Sequence, residues 1–85
     1  MYVKEIENTA IECIGVGGLI FLPPVEDDTI DKMIKNCAIE VKLNSECSTK
    51  FFHSQSGACL CEKVNHNCKR IYSPTMAQYR LINSK

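Results

Sequence analysis

Six cysteines in 85 residues constrain this chain more than any other feature. A chain this short closes only a thin apolar core, and domains of this size are commonly braced by cross-links. An even cysteine count in a short chain points to disulfides, with Cys13, Cys37, Cys47, Cys59, Cys61 and Cys68 all engaged. Disulfides in turn imply an oxidising compartment, so the expected localisation is secreted or extracellular. The alternative is a set of buried, reduced thiols in a cytosolic protein. Sequence alone does not choose among the pairings that six cysteines allow.

The stretch from Thr29 to Cys61 carries most of the fold information. Ile30, Met33, Ile34, Cys37 and Val41 recur at spacings of three and four, which puts them on one face of a helix. Asp31, Lys35 and Glu40 fall away from that stripe. Asp27 and Asp28 supply acidic residues at the start, Thr29 an N-cap, and Pro23-Pro24 stops any earlier helix. Asn44-Ser45 favours a turn, so the helix is expected to end near Leu43. Lys50 to His53, the turn Ser54-Gln55-Ser56-Gly57, and Ala58 to Val64 then read as a hairpin.

On either side of this stretch the pattern is that of strands. Tyr2 to Ile14 alternates loosely and is expected to form an edge strand. Gly15-Val16-Gly17-Gly18 lacks the GK[ST] ending of a phosphate loop and the third spaced glycine of a dinucleotide fingerprint. It is read as a structural turn before Leu19 to Leu22, a short apolar run that reads as a buried strand. Asn65 to Arg70 is polar and basic, and Ala77 to Ile82 alternates as a closing strand with Tyr79 and Leu81 on one face. The sum is a single α+β domain over 1–85, with one main helix packed on an antiparallel sheet of about four or five strands. Its expected core is Ile20, Leu22, Ile30, Met33, Ile34, Val41, Phe52, Leu60 and Leu81.

Charge narrows the function classes. The formal net charge is zero, but acids crowd into 1–46 and bases into 47–85, where Glu62 is the single acid. Such polarity can steer a charged partner, or the two halves can neutralise each other in the fold. The basic residues are too few and too scattered for a nucleic-acid interface. The apolar segment Ile14 to Val25 is too short to span a bilayer and is broken by glycine and proline. No signal peptide is recognisable, so a secreted origin would make Met1 the start of a mature domain or of a module from a longer chain.

The helix opening Thr29-Ile-Asp-Lys-Met33, with Cys37, Cys47, the FFHSQSGAC segment ending at Cys59, and the terminal QYRLINSK, resembles the PAN/apple module. This is the adhesive domain of plasminogen, hepatocyte growth factor and microneme proteins. The chain departs from the family where Met33 replaces the first helix cysteine and Lys50 a favoured Phe. The resemblance implies a Cys37–Cys47 bridge, which leaves Cys59 to pair with Cys13, Cys61 or Cys68; Cys13 with a later cysteine would tie the first strand to the last part. It also implies a secreted binding or adhesion module, not an enzyme and without cofactor, recognising a protein or an anionic carbohydrate. Lys63, Lys69, Arg70 and Arg80 are the candidate contacts, since clustered Lys and Arg give charge-assisted hydrogen bonds to sulfate or carboxylate. An open edge strand is a further route to a homodimer.

Two other readings use different residues. Cys13-Ile-Gly-Val-Gly-Gly, and Cys59-Leu-Cys61-Glu62 with Cys68, are similar to secreted phospholipase A2, with Leu60, Val64, Cys68 and Ile71 on a second helix. Ile34-Lys35 stands where that mechanism needs His and Asp, so such a relative would be a non-catalytic binding subunit or toxin-like protein. Cys59, Cys61, His66 and Cys68 form a C-x-C-x4-H-x-C set that could hold zinc, though with tighter spacing than usual. A nucleophilic cysteine enzyme is disfavoured, because the cysteines outnumber the histidines that would activate them.

Overall fold

The computed structural model describes residues 1–14, 17–24 and 26–82. Helix α1 spans Ile30–Leu43. The Thr29 hydroxyl accepts from the Lys32 N–H at 3.2 Å, meeting one of the donors a helix start leaves open. Asn44 ends the helix in an extended conformation, its N–H donating to the carbonyls of Glu40 and Val41. Ile34, Cys37, Ala38 and Val41 are buried. The buried face therefore sits further along the helix than the five-residue stripe predicts. Met33 is half-buried, and Ile30 is 41% exposed beside an open cavity.

Seven strands surround the helix among the described residues: β1 Tyr2–Ile6, β2 Thr9–Glu12, β3 Leu19–Leu22, β4 Cys47–Ser54, β5 Cys59–Lys63, β6 Lys69–Tyr72 and β7 Met76–Leu81. Five form one antiparallel sheet in the order β1-β7-β4-β5-β3, and β2 pairs with β6 in a second, two-stranded sheet. The β4–β5 hairpin closes through Gly57, whose φ of 101° favours glycine. The expected single edge strand over Tyr2–Ile14 is instead two. Asn8 adopts φ 53° and turns the chain, so β1 borders the main sheet while β2 leaves it for β6. Asn tolerates this left-handed conformation better than most residues. The closing strand β7 is an interior strand, between β1 and β4, with Tyr79 and Leu81 buried together as its alternation predicts.

The main sheet separates two cores. On one face Phe51, Cys59, Cys61, Tyr79 and Leu81 meet Ile34, Cys37, Ala38 and Val41 of α1, with Ile20 and Leu22 partly buried at the margin. Phe51 and Tyr79 stack at 5.3 Å, and Tyr2 closes on both edge-on. On the other face Phe52 and Leu60 meet Ile11 of β2. Two neighbouring aromatics, Phe51 and Phe52, thus point to opposite cores, as successive strand residues must. β3 is an edge strand and not a buried one: Phe21 is 74% exposed.

All six cysteines are paired, as Cys13–Cys68, Cys37–Cys59 and Cys47–Cys61. The bridge from Cys13 to a later cysteine is present. The Cys37–Cys47 bridge implied by the PAN/apple resemblance is not. Cys37 faces β5 from the buried side of α1, and Cys47, at the start of β4, lies beside β5 and bonds to Cys61. Cys37 and Cys59 lie 5.7 Å apart between Cα atoms, within the reach of a disulfide. The glycine-rich stretch serves the third bridge. A Cβ on Gly18 would lie 3.1 Å from the Cys13 Cβ and 3.2 Å from the Cys68 Sγ. Gly15 and Val16 lie outside the described residues.

Candidate functional site

The sequence singled out Lys63, Lys69, Arg70 and Arg80. They are spread over β5, β6 and β7, and three of them are engaged in ion pairs. Arg70 lies between the two sheets. Its Nη1 and Nη2 donate to the Glu62 carboxylate at 2.9 and 3.3 Å, and its Nε donates to Gln78 Oε1 at 2.7 Å. The guanidinium lies 5.2 Å from the Phe52 ring centroid. Gln78 donates in turn to Glu5 at 2.9 Å, and Glu5 accepts from Arg80 Nε at 2.8 Å. Lys63 Nζ is 3.6 Å from Glu46. Lys69 is exposed, without an ion pair among the described residues.

This arrangement is internally complete. Glu62, with a side chain only 5% exposed, also accepts from the Cys68 N–H at 2.7 Å. Burial alone would raise its pKa, but the bonds from Arg70 and Cys68 and the charge of Arg70 outweigh it and hold the carboxyl below its ordinary value. Glu5 is lowered in the same way, burial being outweighed by Arg80 and Gln78. The ion pairs Glu5–Arg80 and Glu46–Lys63 join the acidic and basic parts of the sequence, so part of the charge asymmetry is cancelled within the fold.

A second polar cluster lies across the sheet, where a cavity of about 220 Å³ opens between β1, the first turn of α1 and the ends of β4 and β7. His53, on the same face of β4 as Phe51, is 3% exposed and lines this cavity. Its Nε2 is buried with no hydrogen-bond partner. Burial lowers its pKa and keeps the ring neutral near pH 7. Tyr79, buried at the cavity wall, has its pKa raised chiefly by desolvation. Lys4 borders the opening and is paired with Glu7 at 3.0 Å. Asp31, Gln55 and Thr75 also line the cavity, and none of their side chains forms a hydrogen bond to the described residues. Sequence reading placed His53 as a strand residue, which it is. Its position at a cavity depends on β1 and β7 folding in from the two ends of the chain.

The zinc set does not assemble. Cys59, Cys61 and Cys68 are held in disulfides, and His66 is exposed with Nδ1 against the Val64 carbonyl. No group of three or more metal-ligating side chains gathers among the described residues. The second helix of the phospholipase-like reading is also absent: Leu60 lies in β5, Ile71 in β6, and Val64 and Cys68 in the connection between them. No helix among the described residues is long and apolar enough to cross a membrane. No family model, curated protein or solved structure matches the chain.

Proposed function

We propose that the chain is a secreted, disulfide-stapled module that binds a protein or a glycan and catalyses no reaction. The observation that carries this reading is the placement of the three bridges. One ties α1 to the main sheet, one cross-links β4 to β5, and one joins the end of β2 to the start of β6. The helix is locked to the main sheet, each sheet carries a bridge between two of its own strands or their ends, and no cysteine is left as a free thiol. Such a frame holds a recognition surface rigid with little core, and three disulfides are compatible with an extracellular setting. The open edges β1 and β3 are where an extended segment of a partner, or a second copy, would add a strand. An anionic partner draws less support than the composition suggests, because Lys63, Arg70 and Arg80 already have carboxylate partners.

The test is binding of the oxidised, fluorescently labelled chain to cell surfaces. The chain should bind saturably, lose that binding when reduced and alkylated, and lose it when the cells are treated with protease or glycosidase. Absence of saturable binding across a panel of cell types, with the disulfides verified intact by mass, would sink the proposal.

A further inference from the structure

We infer that the open edge of β1, with the groove between it and α1, binds an extended segment of a partner protein as an added strand, a segment with an apolar residue flanked by acids. This rests on the reading of the chain as a binding module and names one surface of it and the partner that surface takes. The first observation is the state of the edge. β1 ends the main sheet, with β7 on one side and no strand on the other. The Ile82 N–H donates to the Met1 carbonyl, and Val3 lies opposite Arg80, so Met1 and Val3 turn their backbone groups toward β7. Backbone groups alternate in direction along a strand, so those of Tyr2 and Lys4 point away from the sheet. The register shift between Lys4 and Ile6 limits regular pairing to this first part of β1.

The second observation is what lies beside that edge. On the α1 side of Tyr2 runs an open groove of about 540 Å³. Tyr2, Leu81, Ala38 and Ile39 give it an apolar lining, and Ile39 is 45% exposed. Tyr2 is on the α1 face of the sheet, against Phe51 and Tyr79. A residue paired opposite Tyr2 shares that face, so an added strand carries its side chain into the groove. One extended segment therefore meets both the outward backbone groups and the apolar lining, which is the geometry of strand addition. The other open edge lacks this combination. The space beside Leu22 of β3 is lined by Glu40, Leu43, Asn44 and Ser45, and Pro23 follows the strand at once.

Charge selects the partner. Of the four lysines before Cys47, Lys4 and Lys32 are held in ion pairs. The other two, Lys35 and Lys42, have no ion pair among the described residues, and both line this groove. They stand on either side of Ile39 along one face of α1. No acid lines the groove among the described residues. An apolar side chain seated by Ile39, with a carboxylate before and after it, therefore meets two bases that no other group neutralises. A second copy of the chain fits less well. Lys4 lies over the Tyr79 ring, on the α1 face, so a paired β1 would bring its own Lys4 toward Lys35 and Lys42.

The experiment is a titration of the isotope-labelled, oxidised chain, followed by NMR. The probes are capped pentapeptides Glu-Thr-X-Thr-Glu, with X as Leu, Val, Phe or Tyr, and the matching Lys-Thr-X-Thr-Lys set. Laurate serves as an anionic amphiphile with no backbone to pair. At least one acidic peptide should shift the Tyr2 and Lys4 amides and the Ile39 methyl signals saturably, and bind about tenfold or more tighter than its lysine counterpart. Methylating alternate backbone nitrogens of that peptide should abolish binding in one phase and spare it in the other, as pairing along a single edge requires. Lys35→Glu with Lys42→Glu, both at exposed positions, should reverse the preference while the melting temperature holds. The inference is overturned if no acidic peptide binds, if the shifts map elsewhere, or if the two methylated forms do not differ. It is also overturned if laurate alone fills the groove, or if the chain dimerises through β1 instead. Cell-surface binding that persists in the double lysine variant removes the groove assignment and leaves the binding module standing. Peptide binding at β1 by a chain that binds no cell surface does the reverse.

Discussion

The two faces of the central sheet bury polar side chains on opposite terms. On the face covered by β2 and β6, Glu62, Arg70, Gln78, Glu5 and Arg80 form a chain of hydrogen bonds that leaves no member seeking a partner. On the face covered by α1, His53 is buried at the cavity with an open valence. Both clusters are polar and partly desolvated, and both would attract attention in a list of titratable residues. The difference is residual bonding capacity. A network that satisfies itself is structure, and a buried group that does not is a cost carried by the fold.

The largest effect should come from breaking the closed network. Arg70→Met strands the Glu62 carboxylate between two sheets and is expected to cost about 3–5 kcal/mol in urea unfolding. Adding Glu62→Gln should recover part of that loss by removing the stranded charge. A single-variant cost below about 1 kcal/mol would mean that water screens the pair, and the contrast between the faces would fail.

The open valence of His53 should show as a pH effect of intermediate size. Its folded pKa lies below the ordinary 6.5, so the unfolded chain binds the proton first as the pH falls. Stability is unaffected by this group well above 6.5 and declines between 6.5 and the lowered folded value. The charges nearest the cavity are Lys4, Glu7 and Asp31, with Tyr79 neutral throughout that range. Glu62 and Glu5 are lowered from 4.5, so their contribution is retained until the pH falls below 4.5 and is then lost. Urea midpoints should therefore fall in two stages, the first setting in as the pH falls through 6.5 and the second below 4.5. His53→Gln should flatten that first stage and leave the acid stage in place.

The smallest effect is expected at the one exposed, unpaired base of the four. Lys69→Glu should change stability by less than about 0.5 kcal/mol and barely alter retention on a heparin column. A large loss of retention would show that Lys69 anchors a polyanion site, and would restore the charge-based reading that the network otherwise weakens.

Helix α1 was legible because its signals are local: apolar residues at spacings of three and four, Thr29 before them and Asn44 after. The β4–β5 hairpin was legible for the same reason. The β2–β6 sheet was not, because its only local mark is an Asn in a left-handed turn between two weakly alternating segments. The bridge partners were hidden because Cys37, Cys47, Cys59 and Cys61 converge on β5 through tertiary packing, and the PAN/apple resemblance implied a closer pair. Arg70 read as a candidate contact for an anionic partner since nothing in KRIY says that Ile11, opposite it in the β2–β6 ladder, packs on the main sheet. His53 read as an ordinary strand residue because its cavity is assembled from segments near both termini.

The Cys13–Cys68 bridge also determines how this chain responds to a pull. The other two bridges lie within the loop it closes, and all of α1 and β2's partner-facing end are held inside or beside it. Tension applied at residues 1 and 85 crosses that bridge and bypasses everything from 14 to 67. Only 1–12 and 69–85 can unravel, releasing about 100 Å of chain where the uncross-linked sequence would release about 300 Å, at about 3.5 Å per residue. The strands that peel are β1, β2, β6 and β7, which all lie outside the loop that Cys13–Cys68 closes. A tether built this way yields by a short, fixed length and then stops, with α1, β4 and β5 still clamped together.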